Sequence, residues 1–207
     1  MLKKLKVALI ALFLPVVAMA SDFVDGKHYS TLTTAQSKDQ KVTEFFSFYC
    51  PHCFRFEPIA KAIEKNLPDG AYFEKSHVNF LGGIPKDTQT NLSYAYIIAK
   101  QAGKSDLIAE KIFHTIHVEQ NRLLDIKDLK TLMELNGISA TQFDQAVTSM
   151  PVISAENNML TAQEKFSKAG ALTGVPTFIV NDKYKIEMKG IESQEQLDKL
   201  IAYLLKK

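Results

Sequence analysis

The sequence predicts an α/β fold in which a sheet domain is split by a helical insertion, and three observations predict it. A short, aromatic, nearly continuous apolar run at 42–49 leads straight into a helical pattern. From about Gly82 the texture changes to successive helical periods that continue to about residue 169. Strand chemistry then returns at 176–180 with a hairpin partner behind it.

Val42-Thr43-Glu44-Phe45-Phe46-Ser47-Phe48-Tyr49 has the length and aromatic content of a buried strand. The helix that follows repeats apolar residues at Phe54, Ile59, Ala60 and Ile63 and ends before Pro68-Asp69-Gly70. Pro58 lies inside it and should kink it, because proline removes a backbone donor. Ala71 to Val78 reads as a second strand. Helices are then expected at 91–101, 105–117, 125–136, 141–148 and 152–169. Asp125 can cap the third of these, with Gly137 just past its end. Thr141-Gln142-Phe143-Asp144 is read as the capping signal of the fourth. Pro176 to Val180 is a third strand, Asn181-Asp182 a turn, and Tyr184 to Met188 its hairpin partner. Ser193-Gln194-Glu195-Gln196 opens a last amphipathic helix that runs through Leu204.

The first twenty residues read as a cleaved export signal. Lys3, Lys4 and Lys6 precede an apolar run from Val7 to Val17, and Ala18-Met19-Ala20 is a small-x-small cleavage site. The run is short for a spanning helix, which needs roughly 20 apolar residues. Cleavage after Ala20 removes three lysines and no acids, so a net charge of +2 becomes −1. No basic run points to nucleic acid as a partner. The residues that remain suffice for one domain carrying an insertion. The expected destination is a bacterial periplasm, where disulfides persist.

The two cysteines stand in Cys50-Pro51-His52-Cys53, where the first strand meets the helix. A bridge between them closes almost no loop, so it has little value as a staple. Its value is chemical, as a disulfide that can be given away and remade. Cys50 is the expected attacking sulfur. It sits at a helix N-terminus, which favours an anion, and should be the more exposed of the pair. His52 can supply positive charge or a hydrogen-bond donor. A Cys50 pKa near 4 would favour the reduced state by about 4 kcal/mol at pH 7 and raise the reduction potential by roughly 90 mV.

Half a metal site is the rival reading of the spacing. Structural zinc needs four ligands, and no second cysteine pair exists. His114 and His117, with Glu110 a turn earlier, can share one helix face; an ordinary helix surface explains them more simply. No cofactor is expected. Val175-Pro176 is the second informative site, because a cis bond there would leave the Val175 backbone groups free to pair with a passing peptide. A trans proline opening an edge strand is the alternative.

Glu44-Phe45-Phe46-Ser47-Phe48-Tyr49-Cys50-Pro51-His52-Cys53, His77-Val78-Asn79-Phe80, Gly82-Gly83 and Gly174-Val175-Pro176 together resemble the DsbA family of periplasmic thiol:disulfide oxidoreductases. The resemblance implies a thioredoxin fold in two parts, 21–82 and 170–207, split by helices at 83–169 and preceded by the signal at 1–20. It implies a cis peptide before Pro176, oxidation of unfolded exported proteins that carry free cysteines, and reoxidation by a DsbB-like inner-membrane oxidase; a monomer is expected. The low end of the known range of thiol pKa values is itself set by this family, so the 90 mV figure is not independent of the resemblance. Glu44, Glu57 and Lys75 match a charged cluster that lies beneath the dithiol in the family. A buried carboxylate of raised pKa there can take a proton from Cys53. A solvated ion pair is the plainer reading of Glu57 and Lys75, and His77 is read as structural. The chain departs from the family in having no Trp.

Three functions compete. The first is a dithiol oxidase. The second is a disulfide isomerase or reductase; isomerases of this type carry an N-terminal dimerisation domain, and only about twenty residues separate Ser21 from the first buried strand. The third is a chaperone or metal carrier that uses the thiols without redox chemistry.

Overall fold

The computed structural model describes residues 23–207. The expected signal at 1–20 and the cleavage after Ala20 lie outside them. The elements in chain order are β1 (Tyr29–Thr31), β2 (Lys41–Phe46), α1 (Pro51–Asn66), β3 (Tyr72–His77), α2 (Lys86–Gln101), α3 (Ser105–His117), α4 (Ile126–Leu135), α5 (Ala140–Val147), α6 (Met150–Lys168), β4 (Thr177–Val180), β5 (Tyr184–Ile186), a 3₁₀ turn (Met188–Gly190) and α7 (Gln194–Lys206).

Five strands form one sheet in the order β1-β5-β4-β2-β3. Only β2 and β3 run parallel, which requires the crossover through α1. The five helices α2–α6 fill the chain between β3 and β4. Because side chains alternate along a strand, β2 serves both faces of the sheet. Val42 packs with Ala60 and Ile63 of α1, and with Leu197, Leu200, Ile201 and Leu204 of α7. Phe45 points the other way and packs with Phe166 of α6 and Ile179 of β4. A third core joins Phe46, Phe48 and both cysteines to Tyr96, Ile112, Phe113 and Leu129 of the inserted helices. The dithiol is therefore built into the insertion's core as well as into the sheet. Among the described residues no helix is long and apolar enough to cross a membrane.

Several local expectations are corrected. The strand expected to reach Tyr49 stops at Phe46, because Ser47 turns the chain: its carbonyl accepts from Cys50 N–H at 3.0 Å and its hydroxyl from Tyr49 N–H at 3.2 Å. The helix expected from Asn91 begins at Lys86. Ser139, not Thr141, caps α5, in a reciprocal capping box with Gln142. The last hairpin strand ends at Ile186, and Met188 belongs to the 3₁₀ turn. The short edge strand β1 was not expected at all. Asp125 caps α4 through Lys127 N–H at 2.8 Å, and Gly137 follows with φ +80°. Helix α1 continues across Pro58 to Asn66.

Candidate active site

The dithiol is mounted where β2 ends in the turn and α1 begins. Cys50 is the N-cap of α1, with extended backbone angles (φ −90°, ψ 113°), and its sulfur accepts from Cys53 N–H at 3.3 Å. A sulfur at that place answers one of the helix's unpaired donors, as a capping oxygen would. Pro51 occupies the first turn, where its missing donor costs nothing, and it is exposed. His52 is exposed too, and its Nδ1 accepts from Arg55 Nη2 at 2.9 Å. Both cysteines are free thiols, 6% exposed at Cys50 and 0% at Cys53. The order of exposure is the one expected, though Cys50 too is nearly buried.

The Val175–Pro176 bond is cis. The Val175 carbonyl lies at the dithiol and accepts from Cys50 Sγ at 3.3 Å. Two segments 125 residues apart thus meet at the Cys50 sulfur.

The two thiols are electrostatically unequal. The Cys50 thiol is held down at about 6, first by the hydrogen bond from the Cys53 side chain, against the cost of burial, and then by the backbone N–H groups of Cys53 and His52. The charge of His52 is the least of the named causes. Burial pushes the Cys53 thiol up, and the neighbouring Cys50 and Glu44 push it the same way. The hydrogen bonds around Cys50 favour its thiolate, and burial favours the thiol at Cys53.

Glu44, Lys75 and Glu57 come together beneath Cys53. Glu44 of β2 is fully buried. Its register partner on β3 is Lys75, whose Nζ is 3.3 Å from Glu44 Oε2. Lys75 also bonds Glu57 of α1 and lies over the Phe46 ring at 4.7 Å. The approach to Glu44 is an ion pair without hydrogen-bond alignment: neither Glu44 oxygen has a hydrogen-bond partner among the described residues. Burial raises the Glu44 pKa to about 7, and the Lys75 charge only partly offsets it. Lys75 is raised despite its own burial, because two carboxylates face it. The solvated ion pair weighed for Glu57 and Lys75 is not what forms: both are largely enclosed, with side chains 15% and 12% exposed.

His77 belongs to the frame. Its Nε2 accepts from Phe48 N–H at 3.2 Å, and its Nδ1 lies 2.8 Å from Ser93 Oγ. Burial lowers its pKa to about 3, so it stays neutral and keeps Nε2 as an acceptor. The expected helix face of Glu110, His114 and His117 divides. His114 pairs with Glu119 at 3.0 Å, while His117 turns inward to the Phe48 carbonyl. That contact joins residues 69 apart, and nothing local in the sequence signals it. Tyr49, whose hydroxyl donates to Arg122 O at 2.9 Å, was likewise unmarked.

The chain is similar to known proteins in both sequence and fold. A family model described as a DSBA-like thioredoxin domain matches residues 41–202. The thiol:disulfide interchange protein DsbA of Pectobacterium carotovorum subsp. carotovorum is 36% identical over 195 residues, covering 93% of this chain and 90% of that protein. The protein of the same name from Escherichia coli K12 is 33% identical over the same span and shares. Among solved structures, the disulfide oxidoreductase DsbA from Proteus mirabilis superposes with a TM-score of 0.78 at 29% identity, covering 90% of this chain and 98% of the other. A cysteine-to-serine variant of that protein, in complex with a non-covalently bound peptide, PWATCDS, gives 0.79 at 28%, covering 90% and 100%.

Proposed function

The chain belongs to the family of DSBA-like thioredoxin domains and is a thiol:disulfide oxidoreductase, and we propose that it is a dithiol oxidase of the periplasm, passing its Cys50–Cys53 disulfide to newly exported proteins. A DsbB-like membrane oxidase would restore the disulfide. The reading places a cleaved signal at 1–20 and a helical insertion at 83–169 within the thioredoxin fold.

The observation that carries this proposal is the inequality of the two thiols. A substrate thiolate attacks Cys50 Sγ, the S–S bond breaks, and Cys53 leaves with the electron pair. Glu44, poised near neutrality, supplies the proton that the Cys53 sulfur needs in its buried place. A second substrate thiolate then attacks the substrate sulfur of the mixed disulfide. Cys50 leaves as a thiolate and needs no proton. The substrate has lost two electrons and the protein has gained them. Stabilising the departing thiolate drives the exchange forward. With Cys50 at about 6, the gain at pH 7 is about 1.4 kcal/mol, or roughly 30 mV, which is smaller than a pKa near 4 would give. The Val175 carbonyl accepts from Cys50 in the reduced protein; in the disulfide form Cys50 has no hydrogen to give, and that carbonyl offers the incoming peptide a backbone partner.

Equilibration of the Cys50–Cys53 pair against glutathione, followed by mass after thiol alkylation, tests the proposal. A potential well above thioredoxin's supports an oxidase; a value equal to thioredoxin's would make the chain a reductase. In parallel, Cys53→Ser incubated with a disulfide-containing peptide should accumulate a mixed disulfide through Cys50, because Cys53 is no longer there to expel the bound peptide by re-forming the Cys50–Cys53 bridge.

A further inference from the structure

An imidazole of the insertion bonds the backbone of the reacting turn. His117, the last residue of α3, donates from Nε2 to the Phe48 carbonyl at 2.8 Å. The amide of the same residue donates to His77 Nε2 at 3.2 Å. Phe48 is therefore held at its N–H from the sheet and at its C=O from the insertion. The His117 ring also lies nearly parallel to Phe54, at 5.2 Å and 10°, and stacks on Phe113 at 6.0 Å and 29°. Phe48 lies two residues before Cys50, and Phe54 follows Cys53. One ring thus touches the chain on both sides of the dithiol.

From this geometry we propose that His117 is a positioning residue: it holds the Ser47–Tyr49 turn so that the Cys50 sulfur stays among the donors that stabilise its thiolate. The proposal rests on the reading of Cys50 as the attacked sulfur. The turn transmits the hold directly, since Cys50 N–H donates to Ser47 O at 3.0 Å. Freed at its carbonyl, Phe48 can rotate its peptide, and the Ser47–Cys50 link moves with it. The sulfur then drifts from Cys53 N–H, which it meets at 3.3 Å and which is a distance-sensitive donor. A carbonyl is an acceptor only, so His117 must present an N–H, and a ring without one cannot replace it.

Three variants of the full exported chain separate the ring from its donor. His117→Phe keeps the stack and deletes the donor, His117→Gln keeps a donor and deletes the ring, and His117→Leu removes both. The readouts are the pH midpoint of thiolate absorbance in the reduced protein, the rate of disulfide exchange with a cysteine-containing peptide, and thermal unfolding. His117→Phe should raise the Cys50 midpoint by about one unit and slow exchange about tenfold, with Leu at least as severe and Gln recovering most of the loss. Lower thermal stability in His117→Phe with an unchanged midpoint and rate would reduce His117 to a packing residue and overturn the proposal. If His117→Phe fails to fold, a midpoint in His117→Gln shifted as far as in Leu overturns it equally. Failure of the underlying reading looks different: wild type itself would show no lowered midpoint, whatever residue 117 is.

Discussion

The dithiol has a floor and a wall, and the two are built from different chemistry. The floor comes from β2 and β3 and consists of charge: Glu44, Lys75 and, from α1, Glu57. The wall comes from the insertion and consists of rings: Phe113 and His117 of α3, stacked with Phe54. Glu44 figures among the causes that raise Cys53, whereas the causes that lower Cys50 are hydrogen bonds at the helix N-terminus and His52. The floor governs the proton of the inner sulfur. The wall governs where the outer sulfur sits. The two meet at the Cys53 side chain, whose hydrogen bond is the largest cause holding Cys50 down.

The largest test removes the wall. Phe113 is 1% exposed and touches the rings of Phe46, Phe48, Phe54 and His117. Phe113→Ala should cost about 3–5 kcal/mol of stability in urea unfolding, as other large-to-small core substitutions do. A cost below about 1 kcal/mol would mean that the insertion's core does not support the turn.

The second test reads the outer thiol through linkage. Its folded pKa, about 6, lies below the ordinary value of 9, so the unfolded chain binds its proton more tightly. The reduced protein should therefore gain stability as pH rises from 6 to 9 and lose it as pH falls back through 6. The full gain from this group is at most about 4 kcal/mol. Cys50→Ser should lack that rise, and parallel stability curves for the two reduced proteins would count against a stabilised thiolate.

The floor gives the opposite slope. Glu44 is raised from 4.5 to about 7, so its protonated form suits the folded state. Its contribution is complete below 4.5 and is lost as pH rises through 7, a loss of about 3 kcal/mol. Glu44→Gln keeps the shape and should remove that slope, while Lys75 retains Glu57. It should also slow the proton-dependent exchange step at Cys53. An unchanged slope in the Gln variant would mean that Glu44 does not titrate in this range.

Floor and wall also differ in how far they were legible in the sequence. An acid within Val42-Thr43-Glu44-Phe45-Phe46 is conspicuous, because period-2 alternation puts Glu44 on the same face as Val42 and Phe46. The helical texture of 83–169 was equally plain from periodicity, and the sheet strands from their β-branched and aromatic content. The turn at Ser47–Tyr49 was not, since its residues have strand composition and only Ser47's backbone and hydroxyl bonds override it. Three-residue β1 is too short to show alternation. The wall was hidden for another reason. His117 meets Phe48 across the insertion, and its placement depends on how α3 packs, which no local pattern encodes.

The smallest test asks whether the wall holds the turn at one point or two. Tyr49 OH donates to Arg122 O at 2.9 Å, one residue along from the carbonyl that His117 holds. That bond is exposed, so water can replace it, and Tyr49→Phe alone should cost about 0.5–1 kcal/mol or less. Its value lies in combination with His117→Phe. Neighbouring bonds that share one strut couple: once the first is cut, the segment is already loose and the second holds little. The double variant should then lose less stability than the two single losses added, by at least about 0.5 kcal/mol. Strict additivity would show instead that the Tyr49 and His117 bonds hold the turn independently of each other.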